Sequence, residues 1–360
     1  MDHNILLLKL SHYGIRGLAL SWFKSYLSNR KQVVKYNDTI SDEKNVICGV
    51  PQGSILGPLL FLVYINDLST VSDLFAIMFA DDTNLFIQGT NIHVLENKVN
   101  SELKKIVTWL HVNKLSLNVD KTHTMIFTNK KELHNRCNNI EIEGIPIETV
   151  GQTKFLGVII DNKLCWKSHI NHICNKIAKG IGIIKKVKAM LNRDTLLNLY
   201  YTFVYPYLTY CNTIWGKAAN IYISRIFLLQ KRIIRIVCNS HFLAHTTPLF
   251  KQCKVLTIYN INLYCTGVFM FKYYKGLLPD IFADMFIKQI DTHDHYTRNN
   301  QCYALPYYKT QRKKNSLSYY GPYFWNEYIL NNNVDINIIN TIFTFKKTLR
   351  EMLYDKEIIV

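Results

Sequence analysis

The chain lacks an apolar run able to cross a bilayer. Its longest, Leu56 to Ile65, contains Gly57 and Pro58 and stops at Asn66-Asp67, short of the roughly 20 residues a membrane helix needs. Met1-Asp2-His3-Asn4 opens no basic-then-apolar leader, so neither a signal peptide nor a transmembrane segment is expected. The nine cysteines are odd in number and scattered. A small disulfide-stapled scaffold is thereby excluded, and reduced thiols inside the cell, in nucleus or cytoplasm, are the natural reading. No arrangement of Ser, His and Asp or of Cys and His suggests a hydrolase. There is no internal repeat, and no low-complexity tract beyond Asn331-Asn332-Asn333.

Acidic residues are also in short supply. Against 43 Lys and Arg stand 26 Asp and Glu, a net charge of +17. Such an excess points to nucleic acid or another anionic surface as partner and carries no information about fold. With 48% hydrophobic and 19% charged residues, the chain is a folding sequence, not a disordered one. Its 360 residues leave room for two or three domains.

Among the few acids, Asp81-Asp82 stand out. They interrupt the apolar stretch Ile77-Met78-Phe79-Ala80 before Leu85-Phe86-Ile87 resumes it. Strand-forming runs on both sides of a short polar pair predict a β-hairpin with Asp81-Asp82 at its tip. Two carboxylates on a rigid hairpin suit a hard divalent cation, which takes oxygen ligands. The plainer alternative is a turn, where Asp is common for its side-chain hydrogen bonds.

Upstream, Ile5 to Leu27 has the three- and four-residue apolar spacing of helix, interrupted at Gly14-Ile15-Arg16-Gly17. Arg30 to Tyr36 alternates as an edge strand does. The stretch Gly49-Val50-Pro51-Gln52-Gly53-Ser54-Ile55-Leu56-Gly57-Pro58 follows. Its glycines let backbone approach a flat ligand, and Pro58 suits the first turn of a helix. A loop feeding a helix N-terminus could line a nucleotide pocket.

Pro51-Gln52-Gly53-Ser54-Ile55-Leu56-Gly57-Pro58-Leu59-Leu60-Phe61, followed by Phe79-Ala80-Asp81-Asp82, resembles the reverse transcriptases of non-LTR retrotransposons, most of all the jockey-type animal elements. Two ordered motifs are far more specific than either alone. Leu115-Ser116-Leu117-Asn118-Val119-Asp120-Lys121-Thr122 is similar to the family's next motif, ahead of a strand Thr124–Phe127. Phe155-Leu156-Gly157-Val158-Ile159-Ile160-Asp161 resembles its primer-grip hairpin. Upstream of both, Ile92, Leu95, Val99, Leu103, Ile106 and Leu110 predict an amphipathic helix.

The resemblance implies RNA-directed DNA synthesis on an RNA template and a DNA primer, with deoxynucleoside triphosphates and two Mg2+ ions. It implies that Asp81 ligates metal, with Asp82 as ligand or support. Pro51, Gln52 and Gly53 would border the nascent base pair, Gly53 because no side chain fits there. Lys121 would serve near the triphosphate as charge partner or general acid; the alternative is a surface lysine. Phe155, Leu156 and Gly157 would position the primer end. The family also needs an earlier carboxylate strand. Asp2-His3-Asn4-Ile5-Leu6-Leu7 matches only the end of that motif, so the chain is expected to be a truncated copy, inactive alone. The runner-up is a non-catalytic nucleic-acid-binding remnant.

From Trp166 the chain turns to basic helices. Ile170, Ile173, Ile177, Ile181, Ile184 and Val187 form a stripe. Lys176, Lys179 and Lys186 lie off it and could face phosphate or simply solvent. Ser224 to Cys238 carries Arg225, Lys231, Arg232 and Arg235. Residues 279–295 read as linker or exposed loop, with His293 and His295 solvated. In the tail, from Tyr296-Thr297-Arg298 to Gly321-Pro322-Tyr323-Phe324-Trp325-Asn326, aromatics alternate with Arg and Lys. Tyr323, Phe324 and Trp325 are read as core before base-stacking groups. Cys165, His169, His172 and Cys174 have zinc-like types, yet no trusted spacing; the two histidines suit a helix surface.

The expected fold is thus α+β. It comprises a partial right-hand polymerase palm with antiparallel sheet over 1–161, a helical thumb over 162–278 and a basic, aromatic C-terminal extension over 279–360.

Overall fold

Two compact units make up the chain, Met1–Gln152 and Thr153–Val360. The structure, a computed structural model, describes residues 1–130, 139–291, 302–331, 339 and 341–355. His293, His295 and Tyr296-Thr297-Arg298 fall outside the described residues.

In the first unit, α1 (His3–His12) and α2 (Gly17–Leu27) part at the predicted glycine interruption, where Gly14 has φ 91. Asp2 caps α1. Its carboxylate accepts from the Asn4 and Ile5 N–H groups at 2.9 and 3.1 Å and pairs with Lys114 at 2.6 Å. The Lys114 ammonium and the Ile5 N–H outweigh desolvation and hold the Asp2 carboxyl below the usual range. Leu6 and Leu10 of α1, Leu27 of α2, and Leu60, Tyr64 and Ile65 of α3 (below) are buried together. Burying each such aliphatic side chain contributes about 1.5–3 kcal/mol.

Arg30–Tyr36 does not form one strand. It yields two short ones, β1 (Lys31–Gln32) and β2 (Lys35–Tyr36). β2 turns back on β3 (Thr39–Ile40), and β1 pairs with β4 (Lys44–Asn45). Every residue in these strands is exposed. With no buried face, nothing fixes a longer register. After the loop comes α3 (Leu56–Ile65), then β5 (Phe75–Phe79), β6 (Asp82–Phe86) and α4 (Ile92–Val112).

The strand expected at Thr124–Phe127 shrinks to β7 (His123–Thr124). β8 (Glu141–Ile142) and β9 (Ile145–Pro146) form a hairpin, turning at Glu143 and Gly144 with φ 52 and 78, the two positive values a two-residue hairpin loop prefers. β10 (Glu148–Thr149) runs parallel to β7. The predicted α4 stripe is real. Ile92, Val99 and Leu103 meet Ile140, Ile142 and Ile147, and Ile106 joins Leu68 and Leu74.

At the start of the second unit β11 (Gln152–Phe155), whose first residue closes the first unit, pairs with β12 (Val158–Asp161). Helices follow: α5 (Lys167–Val187), α6 (Arg193–Phe203), α7 (Tyr205–Thr209), α8 (Asn212–Trp215), α9 (Asn220–Val237), α10 (Thr246–Cys253) and α11 (Ile258–Tyr274). Last come α12 (Gln311–Asn315), α13 (Leu317–Phe324) and α14 (Ile342–Asp355).

The stripe isoleucines of α5, Ile170, Ile173, Ile177, Ile181 and Ile184, are buried as expected, in one core with Ile223, Ile226, Ile233 and Ile234 of α9. α11 buries residues around its circumference, among them Ile258, Ile261, Asn262 and Phe271, the mark of a central helix. Phe324 and Trp325 are core at 0% and 1% exposure; Tyr323, at 39%, is not.

Residues 279–291 hold 3-10 turns at Asp280–Phe282 and Gln289–Asp291. His169 departs from expectation. It is buried at 2% exposure, because its Nδ1 accepts the Ile159 N–H at 3.2 Å and its ring packs edge-on against Trp215. The zinc-like set does not gather: among the described residues no three His, Cys, Asp or Glu cluster as ligands.

Candidate functional site

β5 and β6 pair in register from Phe75↔Phe86 to Phe79↔Asp82. The loop is therefore Ala80-Asp81, and the expected Asp81-Asp82 tip is corrected by one residue: Asp82 is the first residue of β6. Side-chain burial explains the choice. This register seats Met78, Leu85 and Ile87 against Leu68, Leu74 and Ile106, and a one-residue slip would turn an inward set outward. Ala80, at the first loop position, has φ 51, a conformation that favours glycine.

Asp81 and Asp82 are exposed, and among the described residues neither carboxylate is hydrogen-bonded or ion-paired to a side chain. Two adjacent free carboxylates are donors of the type magnesium takes. Magnesium commonly fills the rest of its shell with water and substrate phosphate.

A residue the sequence did not flag holds this hairpin in place. Glu102 of α4, 4% exposed, accepts the Asp73 N–H at 2.9 Å and pairs with Lys105 at 2.7 Å. The Lys105 ammonium and the Asp73 N–H keep its carboxyl below the ordinary glutamate range. The only sequence signal was a charge between the apolar positions Val99 and Leu103, which is ordinary on a helix.

The loop before α3 is ordered by Ser54. Its hydroxyl donates to the Pro51 carbonyl at 2.8 Å and accepts the Gly57 N–H at 3.0 Å. Gln52 and Gly53 are exposed. Gly53 has φ 83, yet a Cβ there would meet nothing within 4 Å. In the free chain Gly53 is needed for its backbone angle. Space is the constraint at Gly57, whose Cβ would lie 3.1 Å from the Pro51 carbonyl oxygen. His3 also holds the loop, its Nε2 lying 2.8 Å from the Gly49 carbonyl oxygen. Lys121 ends the 3-10 turn Val119–Lys121 and is exposed. No hydrogen bond or ion pair among the described residues ties Lys121, Gln52 or Gly53 to Asp81 and Asp82.

In the second unit the turn Leu156-Gly157 has φ 44 and 84, and the Tyr210 hydroxyl donates to the Leu156 carbonyl at 2.6 Å. Asp161 ends the hairpin. Burial raises its pKa, but the Cys165 and Trp166 N–H groups prevail and hold the carboxyl low; these bonds are 3.0 and 2.9 Å long. Lys176, Lys179, Lys186 and Arg232 are exposed. Arg235 is partly spent, since its Nε donates to the Ala244 carbonyl at 2.9 Å.

Residues 1–160 match the family described as reverse transcriptase (RNA-dependent DNA polymerase). The chain is 28% identical over 246 residues to a probable RNA-directed DNA polymerase from transposon X-element of Drosophila melanogaster, covering 66% of this chain and 27% of that one. It is 26% identical over 243 residues to the RNA-directed DNA polymerase from mobile element jockey of the same organism, covering 64% and 26%. A Pol polyprotein from the type-1 retrotransposable element R1 2 of Nasonia vitripennis is 28% identical over 180 residues, with 46% and 43% covered. The chain spans about a quarter of the length of the first two relatives. Among the described residues no helix is long and apolar enough to cross a membrane. Motif order, hairpin and relatives agree: residues 1–160 are similar to the reverse transcriptases of non-LTR retrotransposons.

Proposed function

We propose that this chain serves RNA-templated DNA synthesis in a non-LTR retrotransposon, extending a DNA primer with deoxynucleoside triphosphates. In this reading residues 1–161 belong to a polymerase palm, 162–278 to a helical thumb and 279–360 to a basic, aromatic C-terminal region. The observation that carries it is the pair of unpartnered carboxylates, Asp81 and Asp82, at the closed end of a braced hairpin inside the reverse transcriptase match. Asp81 and Asp82 would hold Mg2+, which when bound would supply the charge that activates a 3′-hydroxyl and stabilises leaving pyrophosphate.

The chain's own residues do the rest. Pro51, Gln52 and Gly53 border the nascent base pair, and Lys121 neutralises the triphosphate or gives a proton to pyrophosphate. Phe155, Leu156 and Gly157 seat the primer end, a turn held by Tyr210. Lys176, Lys179, Lys186 and Arg232 follow the duplex backbone, with Arg235 contributing only what its bond to Ala244 leaves free.

One observation favours a second reading, binding without polymerisation. Among the described residues no third acidic group joins Asp81 and Asp82. Primer extension on an RNA template with magnesium separates the two. The arms are this chain, its Asp81→Ala variant, and a version carrying an additional upstream carboxylate strand. Extension by the extended version alone, abolished by Asp81→Ala, is the expected result. Extension that survives Asp81→Ala in every arm would sink the metal role of the hairpin.

A further inference from the structure

Of the five tryptophans, Trp215 and Trp325 are buried, Trp109 and Trp166 half-buried, and Trp22 alone is exposed, at 54%. It is not loose. Its ring lies on Tyr26, one turn further along α2, with centroids 5.5 Å apart and planes within 10°. The Arg30 guanidinium lies 5.5 Å from the Tyr26 ring centroid, within cation–π reach. Phe23 meets Trp22 edge-on at 5.1 Å, fixing the indole from the side. The core-facing residues of α2 are others: Leu20, Phe23 and Leu27 pack with α1 and α3. Trp22, Tyr26 and Arg30 thus form a fixed ladder whose outermost rung presents a wide aromatic face to solvent.

The charge around the ladder has one sign. From His3 to Asn37 the chain holds no Asp or Glu, against six Lys and Arg. Lys9 and Lys31 pair with Asp67 and Glu43. Arg16, Lys24, Arg30 and Lys35 have no acidic partner among the described residues. An apolar protein surface would fit the indole, and so would Leu18 one turn earlier, 91% exposed, but neither explains the missing acids. Aromatic platforms set among uncompensated cations hold unpaired nucleic-acid bases, because any base offers a π-face and the backbone follows the charge.

We propose that Trp22, backed by Tyr26 and Arg30, is a stacking platform for a single-stranded RNA or DNA segment. The inference rests on the reading of the chain as a nucleic-acid-handling protein, and deepens it. It concerns unpaired strand only and does not involve the duplex-holding lysines of the second unit.

The test uses the full chain and two fluorescent probes, a single-stranded oligonucleotide and an RNA–DNA primer–template duplex, at low and moderate salt. Trp22→Ala should weaken single-strand binding roughly five- to hundredfold, with circular dichroism, thermal midpoint and duplex affinity unchanged. Trp22→Phe should retain most of the affinity, and the single strand should quench a tryptophan signal absent from Trp22→Ala. Unchanged single-strand binding by Trp22→Ala would overturn the proposal while leaving the duplex reading intact. Loss of duplex binding by Lys179→Glu/Lys186→Glu, with single-strand binding kept, would confirm that the two are separate. Self-association that depends on Trp22, with no quenching by oligonucleotide, would replace the platform by a protein contact.

Discussion

The Glu102 carboxylate, on the inward side of α4, accepts the backbone N–H of Asp73 at 2.9 Å, two residues before the strand that leads to Asp81. A helix side chain thereby sets where the hairpin leaves the chain. Glu102→Gln keeps the shape but removes the charge on which both Lys105 and Asp73 depend. Exposure of its partner Lys105 screens part of that interaction, so the loss in Glu102→Gln should be modest. Because the Glu102 pKa is lowered in the fold, its contribution is complete above the unfolded glutamate value and fades as pH falls through the lower folded value. Denaturant midpoints taken from pH 6 down to pH 3 should converge for wild type and Glu102→Gln as the acid end is reached.

Ala80 carries φ 51 in a two-residue loop. An L-residue there loses about 1–2 kcal/mol, while glycine adds about 0.5–1 kcal/mol of unfolded-state entropy. Ala80→Gly should therefore stabilise the hairpin by up to about 1 kcal/mol. Hydrogen exchange of the β5 and β6 amides reads this directly, and faster exchange in the variant would contradict it.

Burial, and secondarily the neighbouring His172, lower the His169 pKa to about 4. Its neutral ring suits the fold, so the unfolded chain takes up the proton first. Stability should fall as pH drops from about 6.5 toward 4 and level off below. In His169→Phe that component of the pH dependence should vanish, as measured by unfolding free energy across the window.

Two glycines make a paired test of packing. A Cβ on Gly216 would collide with Asn212 Oδ1 and lie 2.6 Å from the Asn212 carbonyl oxygen, so Gly216→Ala should cost about 1–3 kcal/mol or more. Gly182, within α5, has nothing within 4 Å of its Cβ position. Gly182→Ala should stabilise by up to about 1 kcal/mol. Thermal midpoints moving in opposite directions are the expected result.

What the sequence determined by itself was whatever depends on local order. The α4 and α5 stripes, the glycine break between α1 and α2, and the existence of a hairpin at Asp81-Asp82 all follow from residue periodicity. The ordered motifs that place residues 1–160 with reverse transcriptases are local too. Tertiary structure decided the rest. It moved the hairpin tip to Ala80-Asp81, because the inward side of Met78, Leu85 and Ile87 is defined only by the residues beneath them. It turned His169 inward and drew Glu102 to Asp73, since a buried polar group is stable only where a distant backbone N–H meets it. And it left Trp22 outside: the spacing of α2 marks a helix, but which aromatic meets the core depends on where α1 and α3 lie.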